Sequence, residues 1–230
     1  MKKYSLLILT FVTFGLTSVM AQSENALNIG AKVGGNLNQL SQSGLHTGVN
    51  GGAFVLFNLS DLLGIQGELG YNQNGGLRND YSLDVASPPY LSFTNRSITF
   101  HAVRLGAGLK VNLGSGDDAL KPKVHVGGSY AYNTAVFEKR DLITSTPITG
   151  GTLEARAEAD YENVGSEFEA HQFGGFLGIA LDYSLSNGKI FSTEVRYERI
   201  FNELHVGYPA AKSGEAFANT ISINFAYSIF

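Results

Sequence analysis

Eight ionisable side chains stand inside segments that otherwise alternate between apolar and small residues, and their types could do chemistry. They are Lys32, Glu68, Arg104, Lys110, His125, Glu194, Arg196 and Glu198. Acids, bases and a histidine brought together could move protons, line a polar path for a small solute, or pair with one another. Because each lies on the polar side of its segment, we expect one interior network in which opposite charges pair and fill the space. That network is predicted to be structural.

Nucleophilic catalysis needs a hydroxyl or thiol in hydrogen-bond contact with a base. His125 and Ser129 share one face of a predicted strand, but four residues of extended chain separate them by about 13 Å. The chain has no cysteine, and it contains no G-x-S-x-G, H-E-x-x-H or phosphate-binding loop. The sequence therefore predicts a protein that is not an enzyme and that has no cofactor or metal site. No metal-ligand spacing links the remaining histidines, which are His46, His101, His171 and His205.

A second group of charges lies in the longest predicted connection, between residues 138 and 170. From Leu153 to Tyr161, apolar residues alternate strictly with charged ones, and period 2 indicates a strand, since a helix would scatter these charges around its surface. We predict a hairpin that projects beyond the membrane, with residues 150–161 paired to residues 134–144. Its carboxylates are either a solvated face or a surface that contacts a basic partner or divalent cations on lipopolysaccharide. The candidate contact residues are Glu154, Glu158, Asp160 and Glu162.

Period-2 alternation recurs along the whole chain and predicts the elements that hold these side chains. The clearest case is the last segment, where Ile221, Ile223, Phe225, Tyr227 and Ile229 alternate with polar or small residues. Ile98 to Ala102 breaks the phase, which predicts a β-bulge there. The eight predicted strands cover residues 26–37, 47–59, 65–72, 96–113, 123–137, 172–183, 189–201 and 221–229.

The connections between these strands alternate in length. Long polar connections are predicted at 38–46, 73–95, 138–170 and 202–216, and short turns separate the other strands. Outer-membrane barrels show this asymmetry, with short periplasmic turns and longer outside loops. The predicted fold is all-β: an eight-stranded antiparallel transmembrane β-barrel with up-and-down topology.

The N-terminus predicts export. Lys2 and Lys3 precede an apolar run from Leu6 to Leu16, and Ala21 offers a small residue for cleavage. We therefore expect a signal peptide at residues 1–21 and a barrel domain at 22–230. Removing two lysines changes the net charge from 16 − 20 = −4 to 14 − 20 = −6. A nucleic-acid partner is not expected for so acidic a chain.

Four short segments resemble the PorT-like outer-membrane β-barrel proteins, which are small barrels of the OmpA and OmpX type. The segments are I-G-A-K-V-G-G-N-L-N (29–38), I-Q-G-E-L-G-Y (65–71), K-P-K-V-H-V-G-G (121–128) and E-V-R-Y (194–197). The resemblance implies an outer-membrane location in a Gram-negative cell envelope and an eight-stranded barrel. Activity is generally unassigned in that family, and one branch is tied to protein secretion.

The function expected from these observations is that of a non-enzymatic outer-membrane barrel. Its outside loops would act in surface integrity, adhesion or partner contact. The expected partners are outer-membrane lipids and lipopolysaccharide, the barrel-insertion machinery, and an envelope protein. One alternative is a barrel subunit of a protein-secretion apparatus. Another is a soluble lipocalin-like ligand-binding barrel, which would be apolar inside and polar outside.

Overall fold

The computed structural model describes residues 27–40, 44–82, 90–114, 119–158, 162–186, 188–202 and 218–229. The predicted signal peptide lies outside these residues. Among them, no helix is long and apolar enough to cross a membrane, and a single 3-10 turn covers Gly165–Glu167. The strands are β1 (Leu27–Leu40), β2 (His46–Asn58), β3 (Leu63–Ser82), β4 (Tyr90–Asn112), β5 (Leu120–Ile148), β6 (Gly151–Glu158), β7 (Glu162–Asn163), β8 (His171–Ser184), β9 (Ile190–Ile200) and β10 (Ala218–Ser228).

Eight of these strands close into a barrel. The order around the ring is β1-β2-β3-β4-β5-β8-β9-β10, and β10 pairs back onto β1. Every neighbouring pair is antiparallel, so the predicted all-β up-and-down barrel is confirmed. Closure leaves no strand edge within the ring. Short turns join β2 to β3, β4 to β5 and β8 to β9; we call their end of the barrel the inner end and the opposite end the outer end.

The alternation places apolar side chains outside and polar ones inside. In β8, Phe173, Leu177 and Ile179 are exposed, whereas Gln172 between His171 and Phe173 is buried. Ile179 keeps 68% of its surface exposed. A continuous apolar exterior of this kind is unfavourable in water and suits hydrocarbon. The arrangement is the reverse of what the lipocalin-like alternative requires, and that alternative is therefore wrong.

Several strands run further toward the outer end than predicted. Most of the loop expected at 73–95 is strand, because β3 continues to Ser82 and β4 begins at Tyr90. The loop expected at 38–46 shrinks in the same way, since β1 ends at Leu40 and β2 begins at His46. These extensions contain many polar residues. A strand beyond the bilayer is not required to present an apolar face, so the alternation used to set the boundaries ends before the strand does.

An irregularity near the outer end changes the phase of one strand. The register of β4 against β5 shifts between His101 and Ala102, within the range predicted for a bulge, but β4 keeps its phase from Ile98 to Arg104 and the bulge lies in β5 instead of the fourth predicted strand. The extra residue is Thr134 of β5, because His101 faces Ala135 and Ala102 faces Asn133. The Thr134 hydroxyl donates to the His101 carbonyl at 2.9 Å. Beyond the bulge, Val136 and Glu138 of β5 are buried.

Candidate functional site

The centre of the lumen is the guanidinium of Arg196 on β9. Glu194, Arg196 and Glu198 point inward because the strand alternates them with Val195 and Tyr197, which are exposed. Arg196 donates from Nη2 and Nη1 to the two carboxylate oxygens of Glu68, at 2.7 and 2.8 Å. It also donates to Glu194 Oε2 at 2.9 Å. Arg196 is only 2% exposed, and the planar fork of an arginine fits such two-pronged contacts with carboxylates.

Two further cations complete the surroundings of Glu68. Lys32 Nζ lies 2.6 Å and Arg104 Nη1 lies 3.0 Å from Glu68 Oε2. Arg104 also reaches Glu198, with Nη2 at 3.0 Å from Oε2, and the Ser129 hydroxyl donates to Glu198 Oε1. A buried ion is strongly unfavourable unless it is paired. Here each of these carboxylates has at least one cation in contact, so the charges form one connected cluster.

His125 contributes a buried imidazole to this cluster. Its Nδ1 lies 3.0 Å from Glu194 Oε1, and its ring packs edge-on against Phe176 with a centroid separation of 4.8 Å. Ligand atoms of Glu68, His125 and Glu194 lie within 4.8 Å of one another, as in a metal site. Arg196 Nη2, however, is 2.7 Å from Glu68 Oε1, 3.1 Å from His125 Nδ1 and 3.0 Å from Glu194 Oε1. The guanidinium thus occupies the position where these three side chains converge.

Phe176 gives the cluster a rigid aromatic wall. The Arg196 guanidinium carbon stands 4.3 Å from the centroid of its ring, in a cation–π contact. Glycines on the facing strands make room for this ring: a Cβ at Gly127 would lie 2.6 Å from Phe176 Cζ and 2.3 Å from the Ala107 carbonyl oxygen. A side chain at Gly127 is therefore excluded beside the Phe176 ring.

A second ion cluster lies nearer the inner end. Asp182 on β8 has Lys123 Nζ at 2.8 Å and Lys110 Nζ at 3.8 Å, and it accepts a 2.5 Å hydrogen bond from Ser192. Asp182 and Lys123 were not among the predicted network residues. The alternation contains the signal for both, since Asp182 stands between the outward Leu181 and Tyr183. The structure places Lys110 in this cluster and the other seven predicted residues in the cluster that is centred on Arg196.

The spaces between the described lumen side chains are small. One cavity lies on each side of the Arg196 layer, and the centre of a water-sized sphere can move through about 20 Å³ in each. That is room for roughly one or two water molecules. The arrangement can hold charges apart from solvent and stiffen the barrel, and these two spaces leave no room for a metabolite-sized substrate.

The two predicted contact residues with described side chains, Glu154 and Glu162, lie on different strands outside the eight-stranded ring. Glu154 is exposed on β6, and Glu162 is exposed on β7. Glu158 ends β6, without a described side-chain position, and Asp160 lies outside the described residues. β6 is extended, as predicted, but its partner is Asp141–Ile148 instead of residues 134–144. The cause is a two-residue turn at Thr149 and Gly150, where Gly150 has φ 95°, which sequence analysis missed.

Comparison with known proteins gives one match at the family level. A family model described as "Outer membrane protein beta-barrel domain" matches residues 20–206. A search of the curated proteins found no significant match.

Several solved structures are similar in fold. One is Neisserial surface protein A, with 12% identity, a TM-score of 0.48, and 88% of this chain and 96% of that chain covered. Another is a major outer membrane protein from Thermus thermophilus, with 12% identity, a TM-score of 0.47, and coverage of 89% and 100%. A third is Ail, the attachment invasion locus protein of Yersinia pestis, with 10% identity, a TM-score of 0.40, and coverage of 88% and 98%.

Proposed function

The chain belongs to the outer membrane protein beta-barrel domain family, and from this premise we propose that it is a non-enzymatic barrel that contacts a partner at the cell surface. The contact would serve adhesion, surface integrity or the docking of an envelope protein. The observation that carries this proposal is a β-sheet that continues beyond the barrel at its outer end. In outer-membrane barrels the longer connections face the outside of the cell, so this sheet would be displayed there.

The filled lumen supports a surface role. Buried ion pairs occupy its centre, and the two cavities beside them accommodate only water-sized molecules. An eight-stranded barrel is just wide enough to be filled by its own side chains. A function that needs a substrate or a large solute inside the barrel is therefore disfavoured. We propose that Lys32, Glu68, Arg104, Lys110, His125, Glu194, Arg196 and Glu198 act structurally.

The outer sheet offers a distinct contact surface. β3 pairs with β4 as far as Ser82, β4 pairs with the upper part of β5, and β5 pairs with β6. Within the described part of the chain, β6 has a neighbour on one side only. An edge strand presents unpaired main-chain groups that can accept a strand from another protein.

Charge would select the partner at this edge. Glu154 and Glu162 are exposed, and Glu158 and Asp160 extend the acidic run in the sequence. We propose that these four carboxylates meet basic side chains of an envelope protein, or divalent cations that bridge lipopolysaccharide. The barrel-insertion machinery is proposed as a further, transient partner during assembly.

A barrel subunit of a protein-secretion apparatus is the second candidate. Its support is the resemblance of four short segments to the PorT-like proteins, described above, one branch of which is tied to secretion. The same outer sheet would then dock to other subunits of the apparatus. Stable co-purification with several envelope proteins would favour this candidate, whereas contact with lipopolysaccharide alone would favour the first.

A shortened hairpin tests the contact surface. In this variant Asn-Gly replaces residues 144–155. Ile143 and Arg156 already face each other across β5 and β6, so a two-residue turn of the Asn-Gly type can connect them. We expect this variant to insert and fold normally and to lose the proteins that cross-link to the native chain in intact cells. The cut avoids Val164, which is buried.

A charge variant is the matched control. Glu154→Gln with Glu162→Gln keeps the strand edge and removes two exposed carboxylates. A cross-linked set that persists in the charge variant and vanishes in the shortened one assigns the contact to the edge. An unchanged set in the shortened hairpin, or a barrel that no longer inserts without it, would refute the proposal.

A further inference from the structure

An apolar cluster lies at the outer end of the lumen. Its members are buried and in mutual contact, in contrast to the charged lumen below them; they are Ile98, Phe100, Val136, Val164, Phe168, Ile200 and Ala218. Five of the seven point inward from β4, β5, β9 and β10. The other two, Val164 and Phe168, belong to the irregular segment between β7 and β8, which we call the lid (Glu162–Phe168).

The lid is held to the barrel wall by specific contacts. The Val164 amide donates to the Val136 carbonyl at 2.9 Å, and Phe168 meets Phe100 edge to face with a centroid separation of 5.1 Å. Just past the lid, the Ala170 carbonyl accepts from the Asn133 amide at 2.8 Å. The Asn133 side chain donates to the Glu169 carbonyl at 2.7 Å. Main-chain bonds thus fix both ends of a segment whose two apolar side chains are buried.

Directly below the cluster lies the outer of the two lumen cavities. On β10, the apolar Ala218 is followed along the inward face by Thr220, Ser222 and Asn224, which line this cavity. Two amide oxygens of lining residues, Asn224 Oδ1 and Asn50 Oδ1, are buried and have no hydrogen-bond partner among the described residues. Buried polar atoms of this kind are normally bonded to water, so the cavity is a hydrated chamber.

We propose that the lid is a closure device that seals this hydrated chamber from the outside medium. Water lies on both sides of the apolar cluster, and water is disfavoured inside an apolar constriction. Exchange across the outer end then requires the lid to unpack locally, which exposes Phe168 and Val164. The charged layer around Arg196 closes the chamber from below, so the lid controls its exchange with the outside medium.

The absence of cysteine makes the seal measurable. Ser222→Cys places a single thiol in the chamber wall, and the silver ion, a thiol reagent of about the size of water, reports how often it is reached in the detergent-folded protein; the thiols left unlabelled are counted after unfolding. We expect slow labelling, and we expect Phe168→Ala added to Ser222→Cys to raise the rate on the order of 100-fold, because the opening free energy falls with the apolar burial that is lost. Phe168→Leu, which keeps an apolar side chain, should remain within about tenfold of the native rate.

Two controls make the result specific. Phe173→Ala also removes a phenyl ring, but Phe173 points outward and is 53% exposed; it should leave the labelling of Ser222→Cys unchanged. Thr152→Cys, on the exposed face of β6, should label rapidly with or without Phe168. Folding of each variant is checked by the shift in gel mobility on heating. If Phe168→Ala fails to fold, Val164→Ser opens the same cluster and is measured instead.

The proposal is overturned if the folded lid variant labels no faster than Ser222→Cys alone, because the reagent would then enter by another route. It is also overturned if Phe173→Ala accelerates labelling as much as Phe168→Ala does, since that result would indicate general loosening of the barrel.

Discussion

Replacing Arg196 by methionine is expected to lower the free energy of unfolding by about 3–5 kcal/mol, the range for removing one partner from a buried ion cluster. The substitution keeps most of the side-chain volume and removes the guanidinium that contacts both Glu68 and Glu194 within 3.0 Å. Lys32 and Arg104 still balance Glu68. Glu194 would keep the His125 imidazole, 3.0 Å away, as its neighbour. The measurement is urea unfolding of the protein refolded into lipid vesicles.

Arg199→Met is the matched control for that loss. Arg199 lies on the same strand, three residues further along, and it is exposed on the outward face. Exposed ion pairs contribute about 0–1 kcal/mol, so this variant should unfold almost as the native protein does. Adding Glu194→Gln to Arg196→Met should recover part of the stability, because Glu194 is the carboxylate that loses its contacting arginine. Equal losses for Arg196→Met and Arg199→Met would show that the lumen cluster has no structural role.

Leu109→Arg or Ile179→Arg is expected to cost about 2–4 kcal/mol, the range for an arginine near the middle of the bilayer. Both side chains point away from the lumen, and Leu109 lies between Ile65 and Val126 on the neighbouring strands. In the folded barrel the new guanidinium would either lose its water or distort the lipid around it, and both are unfavourable. The same vesicle unfolding assay reports the change in free energy.

The position along the membrane normal supplies the control. Leu113 is also exposed, but it directly follows β4 in the short turn at the inner end, and arginine near an interface costs only about 0–1 kcal/mol. Gly108→Ser, on the lumen face of the same strand, cannot serve as a control for Leu109→Arg. A Cβ at Gly108 would lie 2.6 Å from the Val126 carbonyl oxygen and 2.9 Å from His125 Nε2, so this substitution would itself disturb the packing. If Leu109→Arg and Leu113→Arg cost the same, this face is not in lipid.

The sequence predicts the membrane-spanning part of this fold well for a physical reason. Successive side chains of each membrane strand face hydrocarbon and the polar lumen in turn, so apolar and polar residues alternate in the sequence with period 2. In β10, Ile221, Ile223 and Phe225 are outward and Ser222 and Asn224 inward, as the alternation indicates. Where strands leave the bilayer this constraint ends, and the outer parts of β3, β4 and β5 were therefore assigned to loops.

The sequence predicts which side chains point into the lumen, but it does not predict which of them contact one another. Arg196 and Glu68 are 128 residues apart in sequence, and their contact depends on the register of every strand between them around the ring. The lid was missed for another reason. The bulge at Thr134 reverses the phase of β5, so that Val136 points inward, and the irregular segment with Val164 and Phe168 has no period to detect.

The most direct measurement of the closed, side-chain-filled barrel is the conductance of the purified protein in a planar lipid bilayer. We propose that the paired charges at the centre of the lumen and the apolar cluster at its outer end interrupt the aqueous path through the barrel, as expected for eight strands. We expect a quiet bilayer without stable, large, ohmic steps. Uniform steps of porin size that scale with the protein added would contradict both the strand number and the filled lumen.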